Sequence, residues 1–137
     1  MSFFNIFDIA GSAMSSETVR LNVTASNLAN AQSVGGSEAT TYHARHPVFS
    51  AVMKSLQGDA DIYGVQVTDV VESKAPMEKR YQPENPLANE EGYVFLPNVN
   101  IVDEMANMIS ASRSYQSNVE VLNTTKDLLL GTLRLGQ

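Results

Sequence analysis

The residues of this chain that could do chemistry are few, and their spacing suits it poorly. His43 and His46 stand three apart in Tyr42-His43-Ala44-Arg45-His46-Pro47, a spacing that could supply half of a metal site on one helical turn. Pro47 disfavours helix at His46, and no acidic residue lies within the segment to complete a ligand set. Gly58-Asp59-Ala60-Asp61-Ile62-Tyr63-Gly64 begins like a calcium loop, with Asp at the first and third positions and Gly at the sixth. Tyr63 at the fifth position and Val70 at the twelfth stand where an oxygen donor and a bidentate Glu are required, so a solvated turn is expected instead. None of the 14 serines occupies a Gly-x-Ser-x-Gly elbow, and there is no phosphate loop or paired-glycine nucleotide fingerprint. Cysteine is absent, which removes thiolate nucleophiles, disulfides and zinc-thiolate sites. These residue types argue against an enzyme and leave no cofactor, metal or small-molecule substrate to expect.

Composition narrows the class further. At 137 residues one compact domain is the expectation. Charged residues make up only 18%, and their place is taken by 11 asparagines, 14 serines and 8 threonines, 33 residues in all. Polar faces built this way are uncharged and suited to burial against another polar face. The net charge of -6 excludes nucleic acid as a partner, because phosphate binding needs clustered Lys and Arg. The first eight residues hold no Lys or Arg before their apolar run, which Asn5 and Asp8 interrupt, so a cleavable secretory signal is not expected. Nor does any run approach the roughly 18 apolar residues that span a bilayer.

Two helical patterns flank an irregular middle. In the first, Phe7, Met14, Leu21 and Leu28 recur every seven residues, with Phe3, Ala10 and Thr24 on the interleaved positions. This predicts a helix over about 6–33, capped by Asn5 with Asp8 and ended by Gly35-Gly36. In the second, Val102, Met105, Ile109, Ser112, Val119, Leu122, Leu129 and Leu133 follow 3-and-4 spacing, with Met108 and Tyr115 on the same side. It predicts a helix over about 100–134, capped by Asn100 with Asp103 and closed by Lys126, Arg134 and Gly136. Between them, Ile62 to Val71 reads as a strand pair or a strand plus turn around Gly64, and Tyr93 to Leu96 as a short final strand. Lys74 to Asn89, with three prolines, reads as extended loop. The fold class is therefore mainly α: long N- and C-terminal helices packed as a coiled coil, over 1–35 and 98–137, around a small irregular β-containing middle segment, 36–97.

Leu21-Asn22-Val23-Thr24-Ala25-Ser26-Asn27-Leu28-Ala29-Asn30-Ala31 resembles the N-terminal signature of bacterial flagellar axial proteins, the rod and hook components. The run from Asn98 through Tyr115-Gln116 to Leu133-Arg134-Leu135-Gly136-Gln137 looks like the matching terminal helix of that family. Length, the opening Asn5 to Ser12 and the Asn85-Pro86-Leu87-Ala88 loop look most like its small proximal rod member. The resemblance implies a non-enzymatic structural subunit. It would be exported through the flagellar type III apparatus without signal cleavage and would polymerise in the periplasm into the rod that carries motor torque to the hook. Its partners would be further copies of itself, other rod proteins, the proteins at the junction between the rod and the MS ring, and the export apparatus. A cytoplasmic helical adaptor or export chaperone is the competing reading.

On the rod reading, subunit contacts are expected at Leu21, Asn27, Leu28 and Asn30 of the first helix. On the second they are expected at Met105, Ile109, Tyr115, Val119, Leu122, Leu129 and Leu133. Residues 6–33 carry only Asp8, Glu17 and Arg20 as charges, whereas a solvent-facing helix is normally charge-rich on its outer face. The terminal helices should therefore gain order on assembly. Circular dichroism should show less helix in a dilute monomer than in the assembled protein; a fully helical, cooperatively melting monomer would contradict this.

Overall fold

A computed structural model describes residues 3–54 and 62–135. Helix α1 covers Phe3–Asn30 and α2 covers Ile101–Leu135. Between them lie strands β1 (Arg45–Lys54), β2 (Ile62–Glu72), β3 (Glu78–Tyr81) and β4 (Tyr93–Leu96), preceded by a short 3-10 turn, Glu38–Thr40. The strands form two separate antiparallel pairs, β1 with β2 and β3 with β4. Two long helices with small antiparallel hairpins between them is thus the architecture.

The helix ends differ in part from expectation. Asn100 does cap α2: its Oδ1 accepts the Val102 N–H at 3.1 Å, and its carbonyl accepts the Glu104 N–H at 3.0 Å. Asn5, in contrast, is no cap but a buried residue inside α1, because Phe3 and Phe4 already lie in the helix. Gly35-Gly36 does not end α1 either, since the helix stops at Asn30. Gly35 instead exchanges both backbone hydrogen bonds with Phe95, at 3.0 and 2.8 Å, tying the chain after α1 to β4. A Cβ at Gly35 would collide with Thr41, so a bare backbone is needed there.

The middle is more strand-rich than its sequence pattern suggests. Residues 62–72 are one continuous strand with Gly64 inside it, not a pair turning at Gly64, and the partner strand β1 comes from the segment where no strand was expected. Pro47 is tolerated because a two-stranded ribbon consists only of edges. A bulge between Val48 and Phe49 leaves Thr68 unpaired, and its hydroxyl donates to the Val48 carbonyl at 3.2 Å. Glu78–Tyr81, expected as loop, pairs with β4, with Tyr81 and Tyr93 edge to face at 5.2 Å. The calcium-like run from Gly58 to Asp61, and Gly136, lie outside the described residues.

The two helices are antiparallel neighbours: Asn27 near the end of α1 bonds Arg45, Asn98 just before α2 bonds Ala44, and Arg20 of α1 donates to Asn107 Oδ1 of α2 at 3.1 Å. With this register, at about 1.5 Å rise per residue, α2 projects roughly 15 Å past the described start of α1. From Lys126 to Arg134 every residue but Leu129 is exposed.

The β1–β2 hairpin lies along α1 and uses its serines. The Val65 N–H donates to Ser12 Oγ (3.2 Å), and the Ser16 hydroxyl donates to the Val65 carbonyl (3.3 Å), so helix hydroxyls complete the outer edge of β2. Gly64 permits this approach, since a Cβ there would lie 3.0 Å from Ser12 Oγ and 3.5 Å from Ser12 Cβ. That Cβ separation suits a disulfide. The double substitution Ser12→Cys, Gly64→Cys in this cysteine-free chain should oxidise spontaneously and stabilise the fold by up to about 4 kcal/mol through loop closure. Failure to oxidise, read by thiol titration, would contradict the docking of the hairpin on α1.

Candidate subunit interface and the joint behind it

Asn27 ends the last full turns of α1 with its side chain completely buried, at 0% exposure. Its Oδ1 accepts the Arg45 N–H (2.9 Å) and the Tyr42 hydroxyl (2.9 Å), while its Nδ2 donates to the Arg45 carbonyl (2.8 Å). The amide therefore pairs with the Arg45 backbone as a neighbouring strand residue would. Asn98, just before α2, grips the adjacent residue: its Oδ1 accepts the Ala44 N–H (2.8 Å), and its Nδ2 donates to the carbonyls of Ser73 (3.2 Å) and Ala75 (2.8 Å). Two asparagine amides thus clamp the base of the hairpin to both helices. Ser26 Oγ adds a 3.2 Å contact to the Tyr42 hydroxyl.

This placement corrects the expectation for Asn27, whose amide is used inside the chain and cannot reach a neighbour. Asn30 is half-buried, and its Nδ2 donates to the Ser26 carbonyl at 2.8 Å, a bond within its own helix. Leu21 and Leu28 are half-buried on the heptad stripe with Phe7 and Met14, and Ala10 and Thr24 are buried between them.

On α2 the expected apolar stripe divides. Val119, Leu122 and Leu129 are half-buried, whereas Met105, Ile109, Tyr115 and Leu133 are exposed, Met105 and Ile109 by 52% and 54%. The buried residues of this helix are Glu104, Ala111 and Thr125, with Asn118 half-buried between the last two, at strict seven-residue spacing. The stripe is thus shared between the side of α2 that meets α1 and a side left open in the single chain. A helix apolar over more than one side cannot bury all of it against a single partner helix, and small and polar residues allow the close approach. Met105, Ile109 and Val102 are left facing outward.

Of the remaining candidates, His43 and His46 lie among the described residues. His46 lies in β1, and the His43 ring nitrogen lies 3.1 Å from the Glu38 carbonyl. Among the described residues no three His, Cys, Asp or Glu side chains are grouped to hold a metal, and no helix is long and apolar enough to cross a membrane. Residues that sequence reasoning missed are Ser12, Ser16, Tyr42, Asn98 and Glu104. The only early signal for them was the surplus of uncharged polar residues on a helix poor in charge.

Replacing the clamp should be costly. Asn27→Asp turns the Nδ2 donor into an oxygen facing the Arg45 carbonyl, and the buried mismatch should lower unfolding stability by about 2–4 kcal/mol. Asn30→Ala loses only one local bond and should cost less than about 1 kcal/mol. Urea denaturation of the two variants would compare them, and equal midpoints would refute the clamp.

Comparison with known proteins agrees with this layout. The model of the flagella basal body rod protein family matches residues 7–35, and that of the flagellar basal body rod FlgEFG protein C-terminal region matches residues 90–135. The chain is 55% identical to the flagellar basal-body rod protein FlgC of Escherichia coli O6:H1, 54% to that of Yersinia enterocolitica and 53% to that of Salmonella typhimurium. In each case the match covers 100% of both chains. Identity at that level from end to end, with both terminal helices matched, means that the chain belongs to the flagellar basal-body rod protein FlgC family.

Proposed function

We propose that this chain is a structural subunit of the proximal rod of the flagellar basal body, assembling with further copies and other rod proteins into the shaft that carries motor torque to the hook. The observation that carries this reading is the outward apolar stripe of α2, Val102, Met105 and Ile109, on a helix whose opposite side is already packed against α1. Exposed apolar patches of this kind mark protein contacts. In the assembly, terminal helices of neighbouring subunits pack as an inner coiled-coil layer through Met105, Ile109, Tyr115 and Leu133, with Leu21, Leu28, Asn30, Val119, Leu122 and Leu129 at its margins. The hairpins form the outer part. The subunit reaches the periplasm through the flagellar type III apparatus without signal cleavage and meets the proteins at the MS-ring junction. The named relatives are rod proteins, which does not favour an adaptor or export chaperone.

Met105→Asp with Ile109→Asp tests it. Both positions are open to solvent in the single chain, so monomer stability should change by less than about 0.5 kcal/mol at each. Desolvating two charges in an interface should, however, abolish assembly. Cells relying on this variant should make the protein and build no rod beyond it. Normal swimming would sink the proposal.

A further inference from the structure

Two fixed points set the direction of the backbone groups along the outer edge of β1. Arg45 turns both its N–H and its C=O away from β2, because both are bonded to the Asn27 amide. Val65 of β2 likewise turns both of its backbone groups away from β1, toward Ser12 and Ser16. Its partner in the register is Ala51, and opposed residues of an antiparallel pair face inward or outward together. The bulge places its extra residue on β2, so β1 alternates without interruption, and residues 45, 47, 49, 51 and 53 direct their backbone groups outward. Asn27 closes that edge at Arg45, and Pro47 has no N–H to offer. From there α1 leaves it, since the earlier turns of the helix meet the edge of β2 instead. Phe49, Ala51 and Met53 are exposed, and no strand other than β2 pairs with β1 among the described residues. The Ala51 carbonyl meets only the hydroxyl of its neighbour Ser50, at 3.4 Å.

Edges of this kind are normally blunted by charge, proline or cover. Val48-Phe49-Ser50-Ala51-Val52-Met53 has no charge and no proline, and its residue types favour strand. A row of outward N–H and C=O groups two residues apart is matched by extended main chain, as in strand addition. Phe49 and Met53, 43% and 55% exposed, share one face with the small Ala51 between them. The matching strand therefore sets a large apolar side chain opposite Ala51, where cross-strand neighbours pack. A second copy is poorly equipped to supply it. The outer edge of β2 is crossed by α1 at Val65, β4 is bonded to Gly35 on its other side, and β3 spans only four residues. That leaves β1 itself, and a pair of β1 strands is two-fold and closed, which cannot set subunits in the single direction that a shaft requires.

We infer that the outer edge of β1, from Phe49 to Met53, takes up an extended, uncharged segment of a different protein of the basal body as an added strand. This rests on the rod reading above and names a partner surface for it. Ala51→Pro removes the central outward N–H while leaving the bonds between β1 and β2 in place, and Ala51→Ser keeps that N–H at similar size. Both monomers should unfold at the parent's urea midpoint. In cells relying on each variant, Ala51→Ser should enter purified basal bodies like the parent, and Ala51→Pro should do so about tenfold less. As a reading that does not depend on a destabilising change, a photoreactive benzoylphenylalanine in place of Phe49 should cross-link, in assembled basal bodies, to an extended segment of another basal-body protein, mapped by mass spectrometry. Cross-linking to β1 of a second copy, to a helix or to nothing overturns the added strand and leaves the rod reading standing, as does parent-level incorporation of Ala51→Pro. A parent chain absent from purified basal bodies overturns both.

Discussion

Everything in this structure hangs on a pair of side-chain amides at one end of the helix pair. Asn27 completes the backbone hydrogen bonding of Arg45 from the side of α1, and Asn98 does the same for Ala44 from the approach to α2. A two-stranded ribbon is marginal by itself, and here its base is held by five amide bonds to the backbone of the middle segment. An amide is the group that can do this, since it presents a donor and an acceptor in the geometry of a peptide. A carboxylate would lack the donor, and an apolar side chain would strand the backbone groups that the amide now pairs.

From that clamp the rest follows in order. The hairpin is directed back along α1, where Ser12 and Ser16 satisfy the edge of β2 and Gly64 leaves room for the approach. The helix face so occupied needs no charge, which accounts for the low charge of α1. Its adjoining face takes α2 through small and polar residues at seven-residue spacing, so the two backbones approach closely while the larger apolar side chains of α2 turn outward. The fully buried hydrophobic core is correspondingly small, with Val94, Ala44, Ala111 and Ala10 its principal members. A chain of this size with so little core is built to be completed by neighbours.

The same economy governs the polar groups of the described residues. Its buried polar groups, Asn27, Thr24, Ser16 and Thr125 among them, serve the helices and the hairpin, and its acids are spread along surfaces and helix starts. Glu104 is the most deeply placed of these acids among the described residues, and it lies at the end of the molecule opposite the projecting turns of α2.

Much of this was legible in the residue order, because it depends on local rules. The two helices announce themselves by period, the cap at Asn100 by residue type, and β4 by its run Tyr93-Val94-Phe95-Leu96. The amide signature around Asn27 and Asn30 identified the family. What the sequence could not settle was direction. Asn27 lies beside a leucine stripe and reads equally well as facing a neighbour or facing inward, and only the long-range return of Arg45, 18 residues later, decides that it faces inward. Likewise the stripe from Val102 to Leu133 has helical period whichever side α1 covers. The choice fell to the tertiary contact, where small residues at Ala111 and Thr125 allow an approach that Met105 and Ile109 would block. Strands β1 and β3 were missed for the same reason: neither carries a clear period-2 pattern, and each exists because a partner strand and the helix clamp hold it there.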